Sequence, residues 1–285
     1  MRRLAGSPAV AYIGAMRNPL HLFGTRDTVS VLRLEGAIGG ASRLGTPPLS
    51  DAGLAPLIEA AFRRPRLKAV ALAINSPGGS PAQSSLIAAR IRRLADAKKV
   101  PVYAFVEDVA ASGGYWLATA ADRIYLDASS ITGSIGVISA SFGFHDLIAR
   151  QGVERRVHTA GEDKSLLDPF RPERPEDVAR LKALQAVIHE NFIAQVKSRR
   201  GDRLHGDDLF TGEIWVGQGA IEAGLADEIG HLVPVMRARY GEKVRFSVMR
   251  PRRPLIRRLG VPGVGDVMAG FEDRALWQRF GLTAP

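Results

Sequence analysis

The sequence contains no cysteine. Disulfides, thiolate zinc sites, iron–sulfur ligation and a cysteine nucleophile are therefore excluded. It also has no long apolar run. The mildly apolar stretch Ala9–Met16 is too short to span a bilayer, and Arg17 and Asn18 end it. Lysine is scarce. Of 39 basic residues, 32 are arginine and seven are lysine. What is present is a globular balance, 46% hydrophobic and 24% charged over 285 residues. A chain of this length buries a sizeable core as one large or two small domains. A mainly disordered chain, a collagen-like repeat and a polytopic membrane protein are ruled out. The net charge of +10 raises a basic scaffold or nucleic-acid binder as one function class, yet no basic–aromatic strand motif supports it.

After an irregular leader, strand-like and helix-like stretches alternate. Val29 to Leu34, Lys68 to Ile74, Val102 to Val106 and Arg123 to Leu126 predict strands, and 68–74 has the pattern of a strand covered on both faces. Asp51 to Arg63, with Asp51 as cap, and Ser80 to Ala97 predict helices. Ser112 to Ala121 predicts a short one, and 175–200 the longest, with an apolar stripe from Leu181 to Val196. Ile135 to Ser141 and Val153 to Thr159 predict further strands. Repeated strand–helix units imply an α/β fold around a largely parallel sheet. The expected organisation is a leader at 1–27, one domain at 28–247 and a basic Arg/Pro-rich tail at 248–285.

Two glycine-rich junctions stand where chemistry collects in such sheets, at the carboxyl ends of strands. Asn75-Ser-Pro-Gly-Gly-Ser80 joins the strand 68–74 to the helix from Ser80. Its glycines permit positive φ and close approach, and its backbone N–H groups suit an oxyanion. Ala110-Ala-Ser-Gly-Gly-Tyr115 is the second junction. Small neighbours leave the Ser112 hydroxyl accessible, as a nucleophile requires, and the N–H of Gly113 lies beside it. The plainer reading of Ser112 is a helix N-cap. Of the six histidines, none lies in an obvious catalytic turn. A neutral lysine is the other base open to a serine, whereas arginine does not deprotonate. Between Lys99 and Lys182 the chain has a single lysine, Lys164, which also reads as a solvated loop residue beside Glu162 and Asp163.

Taken in order, several motifs resemble the serine peptidases of family S49, the signal peptide peptidase A type, which share the ClpP/crotonase fold. They are Asn75 to Gly79, Ala111-Ser-Gly-Gly-Tyr-Trp116, Leu126 to Val137 with Thr132-Gly-Ser-Ile-Gly136, Ala160 to Phe170, and Phe210-Thr-Gly-Glu through Gly219 to Gly230. The resemblance implies Ser112 as nucleophile, Lys164 as general base, and an oxyanion hole from the N–H groups of Gly79 and Gly113. It implies no metal or cofactor. It also implies peptide substrates, such as signal-peptide remnants or small unfolded peptides, and a homo-oligomeric ring in which one protomer's lysine serves the next protomer's serine.

Two features depart from the family pattern. The family's N-terminal membrane anchor is not expected from this sequence, and Glu162 and Asp163 precede the lysine, where a carboxylate would hold its proton on. The expected location is cytoplasmic or peripheral on the inner membrane. In the tail, Arg250, Arg252, Arg253, Arg257 and Arg258 surround Leu255, Ile256 and Leu259. That pattern suits contact with an anionic membrane, and equally a solvated tail or an oligomer contact. Three rival functions stand beside this one. A ClpP-like Ser-His-Asp enzyme has no suitably placed histidine after Ser112 before His145. A crotonase-type acyl-CoA enzyme would use the same glycine N–H groups on a thioester, and a basic non-catalytic scaffold would need neither.

Overall fold

Three strands rich in apolar residues form the centre of the molecule. The computed structural model describes residues 26–39, 49–161, 164–249 and 274–283. Strand β1 (Thr28–Glu35) pairs in parallel with β2 (Leu67–Ser76), and β2 pairs in parallel with β3 (Val102–Ala111). Helices α1 (Asp51–Phe62) and α2 (Pro81–Lys98) make the crossovers between them. Then follow α3 (Gly113–Ala118), β4 (Arg123–Leu126), β5 (Ile131–Gly133), α4 (His145–Arg150) and α5 (Pro175–Arg200). The described chain continues with β6 (Ile214–Val216), α6 (Gly217–Glu222), β7 (Glu228–Ile229), α7 (Leu232–Tyr240) and β8 (Arg245–Met249).

The sheet order is β6-β5-β3-β2-β1-β8, with β4 and β7 branching from β3. Among the described pairings only β5 with β6 is antiparallel. Strand β3 is shared along its length. Its first half, Tyr103–Val106, pairs with β4, and its last residues, Val109–Ala111, pair with β5. The fork leaves the end of β3 flanked by β2 and β5, and Ser112 follows directly.

Alternation along the strands sends side chains to two faces. Val70, Leu72 and Ile74 pack under α1, α2, α3 and α5 with Ile58, Ile87, Leu117 and Phe192. Ala69, Ala71 and Ala73 face the other way, with Tyr103, Phe105 and Met236 of α7. Both faces of β2 are thus covered, as its apolar run predicts.

Several expectations change. Ser50, not Asp51, caps α1. Its Oγ accepts from the Gly53 N–H at 3.2 Å, while Asp51 binds Arg90 at 2.6 Å. Neither 135–141 nor 153–159 is a strand. Both have β-prone residues, but among the described residues no neighbouring strand lies alongside them. A strand without a partner has unsatisfied backbone groups and does not form. The real strand here is the shorter β5. The stripe of α5 is buried only at its far end, by Phe192 and Val196, while Leu184 and Val187 are 44% and 57% exposed. Strand β8 crosses the expected boundary at 247 and ends at Met249. The leader up to residue 25, Glu162, Asp163 and the arginine cluster 250–258 lie outside the described residues.

Candidate active site

Ser112 is held in a backbone conformation that side chains rarely adopt, with φ 52° and ψ −121°. A non-glycine residue in this region costs about 1–3 kcal/mol and persists only where its surroundings enforce it. Here the Ser112 N–H donates to the Gly133 carbonyl at 2.9 Å, and its carbonyl accepts the Trp116 N–H at 3.0 Å. The residue occupies the N-cap position of α3, yet its side chain makes no capping hydrogen bond. The hydroxyl is left for another use.

The two glycine junctions converge on this serine. A Cβ on Gly78 would stand 2.8 Å from the Cβ of Ser112, so only glycine lets the first turn approach so closely. A Cβ on Gly114 would strike the Ser76 carbonyl at 2.4 Å, which seats α3 on the end of β2. Asn75 ties the same region to β3, donating to Asp108 at 2.7 Å and accepting the Val109 N–H at 3.2 Å.

Two backbone donors lie together there. Ile38 pairs with the segment around Gly79 as a short parallel bridge, giving its N–H to the Gly78 carbonyl and taking the Ser80 N–H, both at 2.8 Å. In a parallel ladder a residue so flanked turns its own N–H to the opposite side. Gly113 opens α3, so its N–H has no partner within the helix. A Cβ on Gly113 would stand 3.4 Å from the Gly79 nitrogen, so the two donors are neighbours. The Ile38 segment was not anticipated from the sequence. The only signal was the glycine-rich stretch after β1, Gly36-Ala-Ile-Gly-Gly40.

A charged network anchors the far end of α3. Arg200 donates to Asp227 at 2.9 Å and to the Gly224 carbonyl at 2.8 Å, and Arg203 reaches Asp227 at 3.2 Å. Asp227 also accepts the Ile124 N–H at 2.7 Å, and Tyr115 of α3 donates to the Leu225 carbonyl at 2.9 Å. Burial alone would raise the Asp227 pKa. The bonds from Arg200 and Ile124 outweigh it and hold the carboxyl below its ordinary value. Burial pushes the Tyr115 phenol up, which keeps it protonated as a donor.

Lys164 belongs to a different part of the chain. It sits exposed in a turn on the excursion between β5 and α5, its N–H facing the Gly161 carbonyl at 3.4 Å. Among the described residues no hydrogen bond or ion pair joins it to Ser112. The structure therefore brings Ser112, Gly79 and Gly113 together and, among the described residues, shows no bond from Lys164 to them. No described histidine bonds to Ser112 either. His189 meets the Ile135 carbonyl at 3.1 Å and His231 meets Asp127 at 2.8 Å. Beside the glycine turns, Ser80, Pro81, Trp116, Ile188 and Gln195 line a groove of about 710 Å³ between α2 and α5.

A strained serine at a strand-to-helix turn, with two backbone donors beside it on an α/β sheet, is the arrangement that nucleophilic hydrolases also use. The family follows from comparison. Residues 94–242 match the family described as Peptidase family S49, and the chain belongs to that family. It is 32% identical to the chloroplastic serine protease SPPA of Arabidopsis thaliana over 78% of this chain and 33% of that one. It is 48% identical to a Brucella melitensis protein named Na(+)/H(+) antiporter NhaA, over 89% of this chain and 37% of that one. The chain thus spans little more than a third of the length of the curated relatives it matches first. No helix among the described residues is long and apolar enough to cross a membrane. A solved membrane-bound stomatin-specific protease in complex with a substrate peptide shares the fold, with TM-score 0.50 and 14% identity over 82% of this chain and 96% of that one.

Proposed function

We propose that this chain is a serine endopeptidase in which Ser112 is the nucleophile, Lys164 the general base, and the Gly79 and Gly113 N–H groups the oxyanion hole. The observation that carries the reading is the uncapped, strained Ser112 beside two neighbouring backbone donors. A neutral Lys164 amine takes the Ser112 hydroxyl proton as Oγ attacks a peptide carbonyl. The carbonyl oxygen becomes an oxyanion held by the two N–H groups. The C–N bond then breaks, and the protonated lysine returns its proton to the leaving amine. A water, deprotonated by the same lysine, cleaves the acyl-enzyme and frees Ser112.

Lys164 enters this scheme from a neighbouring copy of the chain. Its exposed turn sits on an excursion whose strand-like stretches have no partner here, which suits an arm that reaches another protomer. The substrate class is short or unfolded peptide with apolar side chains, which the groove beside Trp116 suits. Ser112→Ala and Lys164→Arg test the roles. A fluorophosphonate probe should label the wild-type chain at Ser112. Both variants should lose about 10⁶-fold in peptide turnover while keeping the wild-type melting temperature. Wild-type turnover by Lys164→Arg would overturn the base assignment, since arginine keeps the charge but gives up no proton.

A further inference from the structure

The C-terminal residues are not merely a basic tail. Residues 274–278 form a helical turn, and Trp277 is fully buried. Its partners are Val109 and Ala111 of β3, with Ile131 of β5 at the edge and Phe280 and Leu282 closing over it. This apolar cluster is separate from the two that make the core of the fold. Ala111 immediately precedes Ser112, about 3.8 Å away between Cα atoms. Ile131 pairs with Val109 on the strand whose Gly133 carbonyl holds the Ser112 N–H. The floor of the Trp277 site and the seat of the serine are the same two strands.

The way Trp277 is held is that of a tenant rather than a structural member. The hydrogen bonds described for the segment are internal, from Phe280 and Leu282 to the Trp277 carbonyl and from Gly281 to that of Gln278. The Trp277 indole Nε1 is buried without a hydrogen-bond partner. An orphaned donor in an apolar site weakens the docking of its own side chain. Arg274 and Arg279 on either side are exposed. Among the described residues the contacts that fix the segment are therefore apolar, and they lie on the strand end that leads into Ser112.

We propose that the face formed by Val109, Ala111 and Ile131 is a subsite for a large aromatic or aliphatic side chain of the peptide substrate, and that Trp277 occupies it as an intramolecular competitor. The proposal rests on the reading of Ser112 as the nucleophile. A tethered occupant lowers the fraction of chains open to substrate and raises the apparent KM in proportion. The side chain that displaces it would lie within one residue of the attacked carbonyl.

The test uses the full chain carrying Trp277→Ala, with Phe280→Ala as a second, milder variant. On a short peptide with an apolar residue next to the cleaved bond, KM should fall about tenfold with kcat unchanged. A synthetic peptide of residues 273–285 should inhibit Trp277→Ala competitively, and the same peptide with alanine at 277 should not. The labelled peptide should also bind Trp277→Ala in fluorescence anisotropy and lose that binding when Ile131→Asp is added. That readout needs no catalysis, so it stands even if Ser112 fails to react with the fluorophosphonate. An unchanged KM in both variants, a fall in kcat together with the melting temperature, or no peptide binding overturns the proposal.

Discussion

The end of β3 and the excursion between β5 and α5 are built on opposite principles. Around Ser112 almost everything is buried, and three strands, two glycine turns and α3 enforce one strained conformation. Around Lys164 the chain is exposed. Ile138, Phe142, Leu147 and Val153 are 66%, 79%, 56% and 56% exposed, and Phe144 stacks on Phe170 and meets Phe142 at a tilt on the arm's own surface. The contrast teaches where each half of the proposed dyad gets its precision. The serine is positioned by its own chain's core. Among the described residues the lysine has no such scaffold, and the proposed scheme has a neighbouring copy supply it.

The sharpest way to break this contrast is a mixing experiment. Ser112→Ala and Lys164→Ala should each lose about 10⁶-fold in turnover. Mixed in equal amounts after dissociation and reassembly, they should recover about a quarter of wild-type activity, because random neighbours pair an intact serine with an intact lysine that often. No recovery would return the lysine to its own chain's serine.

The buried side of the comparison is tested next through its anchor. Arg200→Ala removes one cation from Asp227 and should destabilise the chain by about 3 kcal/mol in urea unfolding. The pH dependence has a definite sign. Asp227 has a lowered folded pKa, so its contribution is complete above the unfolded value of about 3.9. It is lost as pH falls through the folded value, and Arg200→Ala should flatten that acid limb. A variant that keeps the full limb would show that Arg200 is not its cause.

On the exposed side the expectation reverses. Ile138→Ser combined with Phe142→Ser should leave the stability of the single chain within about 0.5 kcal/mol, since both side chains are mostly exposed in it. The assembly measured by sedimentation should dissociate, and turnover should drop at least about tenfold. A wild-type assembly would detach the arm from oligomer formation.

The smallest effect concerns the strain itself. Ser112→Gly should raise unfolding stability by about 1 kcal/mol while abolishing turnover, because glycine adopts this φ without a steric penalty. A loss of stability would mean that the conformation is not strained.

Much of the fold was legible in advance because its signals are local. The apolar runs of β2 and β3, the exact span of β4 and the 175–200 helix all follow from periodicity and capping residues. The candidate residues Ser112, Gly79, Gly113 and Lys164 came from the resemblance of their motifs to family S49, since locally Ser112 reads equally as a helix N-cap and Lys164 as a loop lysine. Where the reading failed, the missing quantity was a partner through space. Residues 135–141 and 153–159 have strand composition, but composition does not say whether another strand lies alongside.

By itself the sequence determined the alternation of elements, the exclusion of thiol chemistry and the two glycine turns that any α/β sheet of this order would present. Only the tertiary structure decided that the turns meet, that Ile38 orients Gly79, that Ser112 is strained and uncapped, that Lys164 is exposed in a turn, and that Trp277 is buried beside Ala111. The physical reason is the range of the forces involved. Propensity and hydrophobic period act between near neighbours in the chain, whereas packing, strain and backbone pairing depend on residues brought together from tens or hundreds of positions away.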